Sequence, residues 1–112
     1  MGLLRPEESA YVYLMKAGPY YKIGLSGNLA ARRRQLQGGC PLPIEIVDHS
    51  EAISWTAANH LERTLLSELR EHNTRGEWFC FDDDPSLVTA LRYILQKVKD
   101  TLDGKFTVPR ME

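Results

Sequence analysis

The chain is short of cysteine, of long apolar runs and of net charge, and each shortage excludes something. Its two cysteines, Cys40 and Cys80, stand far apart without a CxxC spacing. That argues against a structural zinc site and for a reducing compartment. No apolar run approaches the ~18 residues of a membrane span. The stretch 1–8 carries no apolar signal core, so a cytoplasmic protein without membrane attachment is expected, nucleoid-associated or nuclear according to the host. Gly2 heads no myristoylation site, because Pro6 stands where Ser or Thr is required. His49, His60 and His72 have no metal-ligand spacing. His60 and Glu62 lack the Pro-Cys-x-x-Cys partner of a zinc deaminase. The formal charge of -1 argues against a protein that grips nucleic acid over its whole surface, but leaves room for a local basic patch. Arg32, Arg33 and Arg34 form the densest basic run.

With 43% hydrophobic and 26% charged residues in a chain of 112, the sequence reads as one modest globular domain over 9–103, with flexible ends at 1–8 and 104–112. Two stretches rich in aromatic and β-branched residues, 9–16 and 20–25, flank Ala17-Gly18-Pro19 and predict a hairpin. A loop centred on Ala17 and Gly18 sets Tyr13 opposite Lys22 and Val12 opposite Ile23. Alternation then puts Val12, Leu14, Tyr21 and Ile23 on a core face, and Tyr11, Tyr13, Tyr20 and Lys22 on the other. Asn28 caps a helix over 29–37, which Gly38 and Gly39 stop. A strand is expected at 44–48, a long helix at 54–72 and an extended segment at 76–81. Asp84 and Pro85 then open a last helix with an apolar stripe from Leu87 to Leu102. The order β-β-α-β-α-(β)-α predicts a small α/β (α+β) layer with a mostly antiparallel sheet.

Two charged positions stand out on the helices. Trp55, Ala58, Leu65, Leu66 and Leu69 lie three, four or seven positions from Glu62, which sets a carboxylate within an apolar stripe. A buried charge needs a cation, a metal or a pocket; a carboxylate at the stripe's edge can instead reach solvent or an arginine. Arg32 and Arg33 each fall between Leu29 and Leu36 at offsets of three and four, and the pattern does not choose between them.

Taken in order, Tyr11-Val12-Tyr13, Lys22-Ile23-Gly24, Arg32, Glu62 and Gly76-Glu77-Trp78-Phe79 resemble the catalytic core of the GIY-YIG nuclease superfamily. The likeness is to the T5orf172-like branch, whose second motif reads Lys-Ile-Gly and whose core closes on Gly-Glu-Trp-Phe. It implies a three-stranded antiparallel sheet flanked by helices, here with an added C-terminal helix. It also implies a metal-dependent endonuclease that hydrolyses phosphodiester bonds in DNA and leaves 5′-phosphate and 3′-hydroxyl ends. By the resemblance, Glu62 is the sole protein ligand of Mg²⁺ or Mn²⁺, the rest coming from water and substrate phosphate. Tyr13 takes a proton from water, with Lys22 in place of the second motif's Tyr to favour the phenolate. Arg32 grips the phosphate, and Tyr11 stands where the first motif has Gly. Gly24 is the tight strand exit, and Arg33, Tyr20 and Glu77 join the substrate-binding set. Glu77 equally suits an ion pair with Arg32 or Arg75. The other function class is a module that keeps the fold, binds nucleic acid or a protein partner, and cuts nothing.

Overall fold

The computed structural model describes residues 9–75, 78–80 and 85–98, with the side chains of 73–75 excepted. The elements are β1 (Ser9–Ala17), β2 (Tyr20–Ser26), α1 (Leu29–Gln37), β3 (Ile44–His49), β4 (Ile53–Ser54), α2 (Trp55–Leu69), a 3-10 turn (Arg70–His72), β5 (Asn73–Arg75), β6 (Trp78–Cys80) and α3 (Ser86–Lys97). The flexible ends, the Asp84 cap and Leu102 lie outside the described residues, as do Gly76, Glu77 and Phe81.

The strands form one antiparallel sheet in the order β3-β1-β2-β6-β5, with β4 paired to the start of β1. The three expected strands lie side by side with β3 at one edge, and three short strands extend the sheet. The predicted faces hold. Val12, Leu14 and Ile23 join Ala58, Leu61 and Leu65 of α2 and Leu91, Ile94 and Leu95 of α3 in the main core. Tyr13, Met15, Ala17 and Ile44 form a second, smaller core on the other face, covered by Leu29 and Leu36 of α1. The sheet is therefore sandwiched, with α1 on one side and α2 and α3 on the other.

The hairpin register differs from the expected one by two residues. Ala17 pairs with Tyr20, leaving Gly18-Pro19 as the loop, so Tyr13 faces Gly24, Leu14 faces Ile23 and Lys22 faces Met15. Gly18 has φ +60, which a side chain disfavours, and Pro19 then supplies the fixed negative φ. This is the pattern of a two-residue hairpin turn with Gly in first place. A shift of two keeps every side chain on its face, which is why the face assignment survived.

A bulge between Leu14 and Met15 in the β1–β3 ladder turns both Val47 and Asp48 toward the main-core side. Asp48 there accepts from Arg92 Nε at 3.1 Å and Gln96 Nε2 at 2.9 Å, tying β3 to α3. Just beyond β3, the fully buried Ser50 donates its N–H to Val12 O (2.8 Å) and accepts from Val12 N–H through Oγ (3.0 Å). A side chain thus completes the ladder next to Tyr13. In β6, Phe79 is buried, and Trp78 and Cys80 are half-buried.

Candidate active site

The centre of the site is the crossing of Tyr13 and Gly24. A Cβ placed on Gly24 would lie 2.4 Å from Tyr13 Oη, 2.6 Å from Cζ and 3.0 Å from Cε2. The Tyr13 ring therefore lies flat across β2, in the space a side chain there would take. Gly24 sits in mid-strand, so its role is to admit this ring rather than to let the chain turn out of the strand. Tyr13 is 1% exposed. No buried side-chain oxygen among the described residues lacks a hydrogen-bond partner. The ring is thus held against β2 with its oxygen over Gly24.

The other sheet residues are arranged around that point. Lys22 shares Tyr13's face but is its diagonal neighbour, at a Cβ separation of roughly 7–8 Å rather than directly opposite. Its side chain is 3% exposed and engaged in an interaction of its own. Tyr11, two positions up β1, is half-buried and meets the His49 ring edge-on at 5.5 Å. His49 pairs with Tyr13 across the β1–β3 ladder. Its Nδ1 is 2.7 Å from Ser50 O; taken as the donor there, it leaves Nε2 as an acceptor. Sequence reasoning missed His49 as a site residue, since only the bulged β1–β3 register brings it to the tyrosines. Tyr20 lies at the far end of β2 and is 40% exposed.

Arg32 comes from α1, which begins two residues beyond β2. Ser26 Oγ and the Asn28 backbone bond each other at 3.0 Å, and Asn28 Oδ1 caps Ala31 N at 3.0 Å, as the sequence predicts. The helix buries none of its residues completely, so its arginines are not stripe cations demanding a buried anion. Arg32 and Arg33 are half-exposed and Arg34 is exposed; Arg32 donates through a terminal guanidinium nitrogen to Gln35 Oε1 at 3.3 Å.

Glu62 lies within the packed arc of α2. Ala57, Ala58, Leu61, Leu65 and Leu69 are buried, and Trp55 and Leu66 pack against the same core. At 3.6 residues per turn Glu62 falls between Leu69 and Trp55, half-buried and partnered, as the apolar spacing around it predicts. It also rises from the face opposite α1, so it meets Arg32 and Tyr13 only around an edge of the sheet, not through it. Glu77 falls outside the described residues. The structure thus gathers Tyr11, Tyr13, Gly24 and Lys22 on one face with Arg32 above them, and leaves Glu62 on the other side of the sheet.

With that arrangement in view, the comparison with family models decides the lineage. The T5orf172 domain model matches residues 9–102. The chain belongs to the T5orf172 family. This is a domain of GIY-YIG-like nucleases, so the protein is a nuclease-like domain related to nucleic acid. No curated protein and no solved structure matches the chain. The match runs through every described element of the fold, including α3.

Proposed function

We propose that this T5orf172 domain is a metal-dependent endonuclease acting on DNA. The observation that carries the reading is the Tyr13–Gly24 crossing. A phenol is locked across the strand whose glycine belongs to the second motif, with its oxygen over that glycine.

The donor set suits a hydrated hard cation. Among the described residues no three His, Cys, Asp or Glu cluster together, which disfavours a closed protein cage there. A single carboxylate, Glu62, is enough for Mg²⁺ or Mn²⁺ when water and phosphate complete the sphere. Such an ion would offset charge on the phosphate and make a bound water easier to deprotonate. The chain's own residues do the remainder. Tyr13, as its phenolate, accepts the proton of the attacking water and becomes the neutral phenol. The Arg32 guanidinium, half-exposed and held loosely by Gln35, swings to the phosphate oxygens and balances their charge. Lys22, enclosed between Met15 and Trp78 in the register, sets the positive charge of the floor.

One observation favours a second reading, a module that binds and does not cut: Glu62 and Arg32 stand on opposite faces of the sheet. Incubation of the purified protein with supercoiled and single-stranded DNA, with Mg²⁺ or Mn²⁺ or neither, separates the two. The enzyme reading expects cleavage only with metal and none from Glu62→Ala, with the variant still folded. DNA binding without cleavage in either metal establishes the module instead. Neither binding nor cleavage defeats both.

A further inference from the structure

An open groove of about 840 Å³ lies at the other end of the same sheet face, beneath the C-terminal turn of α1. Tyr20 and Trp78 from the sheet, Leu36 and Gln35 from α1, and Pro41 and Leu42 from the following loop line it. Tyr20 and Leu42 are among the few large apolar side chains left exposed, at 40% and 37%. The wall is held in shape before anything binds. Gln37 donates to Cys40 O at 3.3 Å and Leu42 O at 2.8 Å and accepts from Ile44 N at 2.8 Å, stapling the loop to the helix.

We propose that this groove is a nucleobase subsite, taking one unpaired base of a bound single strand. The inference rests on the nuclease reading and deepens it by naming the substrate: a strand with a base free to leave the stack. Three observations identify the occupant. Tyr20 lies on the same face of β2 as Gly24 and four residues away, about 13 Å at ~3.3 Å per residue. That is the span of about four stacked nucleotides, or fewer if the strand is drawn out. The helix above it, Leu29–Gln37, holds Arg32, Arg33 and Arg34 and no acid, so the chain it covers is anionic. Gln35, in the groove wall, is already hydrogen-bonded to Arg32, so the phosphate grip and the groove are adjacent turns of one helix. An apolar slot with an aromatic wall beside a cationic helix fits a base on a phosphate backbone; paired bases cannot enter it.

The test is binding of fluorescent oligonucleotides in EDTA, where no cleavage intervenes. Tyr20→Ala should weaken binding of a single strand about tenfold, the scale of one lost stack, while duplex affinity stays within twofold. Leu42→Asp, at an exposed loop position, should do the same. Moving an abasic site along the strand should reproduce the loss at one position, and Tyr20→Ala should add nothing on that abasic strand. Equal losses on duplex and single strand overturn the proposal, as does indifference to every abasic position. Metal-dependent nicking of plasmid by the wild-type protein decides the nuclease reading separately: if nicking is present, only the groove assignment falls. If the wild type binds no nucleic acid of any form, both fall.

Discussion

Replacing Gly24 by alanine adds a single methyl group, and the structure specifies what that methyl meets. At 2.4, 2.6 and 3.0 Å from Tyr13 Oη, Cζ and Cε2 it cannot coexist with the ring where it lies. The ring is the far part of a side chain that is 1% exposed and enclosed by the second core, so it has little room to yield. Overpacking of this kind costs about 1–3 kcal/mol. The smaller freedom of alanine in the unfolded chain offsets about 0.4–1 kcal/mol. A net loss of about 1–2 kcal/mol should lower Tm by about 4–9 °C for a domain of this size. Thermal unfolding of four proteins isolates the cause: wild type, Gly24→Ala, Tyr13→Leu and the double variant. With the ring gone, Gly24→Ala should be neutral or mildly stabilising, giving a coupling of about 1–3 kcal/mol. Tyr13→Phe should rescue Gly24→Ala only in part, because the Cζ and Cε2 contacts remain. If Gly24→Ala costs the same in both backgrounds, the glycine is needed for backbone reasons and the crossing does not explain it.

Three other outcomes follow from the packing. Ser50→Ala removes the acceptor of the buried Val12 N–H and should cost about 1–3 kcal/mol in denaturant unfolding, with Ser50→Thr restoring part of it. Asn28→Ala removes the cap on Ala31 N and should cost about 1 kcal/mol, seen as a lower urea midpoint at unchanged slope. Arg92→Ala should cost less than about 1 kcal/mol, because Arg92 is 57% exposed and Asp48 keeps the Gln96 bond. Asp48→Ala should cost more, since it also strands the donors of Gln96 and the His49 N–H.

What the sequence made legible was local. The hairpin, the Asn28 cap with the helix behind it, the third strand and the apolar stripe of α3 each carry their signal within a few residues. The face assignment of the hairpin was legible too, because an error of two residues preserves strand parity. The register itself was not, since Ala17-Gly18 and Gly18-Pro19 both make acceptable loops and only the glycine's positive φ picks the second. Everything that depends on register stayed hidden as a result: Gly24 as the seat of the Tyr13 ring, and His49 beside the tyrosines. Glu62 was legible as a carboxylate within the apolar stripe, since Leu69 on one side of it and Trp55 and Leu66 on the other pack against the main core; its place on the sheet face opposite α1 was not. The strands β4 and β5, of two and three residues, are too short to show a period.

The central claim is that the Tyr13 hydroxyl, presented over Gly24, does chemistry, and Tyr13→Phe tests it with one atom. The variant keeps the ring, the crossing and the second core. The measurement is the single-turnover cleavage rate of pre-bound DNA with Mg²⁺, alongside Kd and Tm for both proteins. A fall of about 10²–10⁴ in rate, with Tm and Kd nearly unmoved, is the predicted result. A rate within a few fold of wild type would contradict the account and make Tyr13 a packing residue.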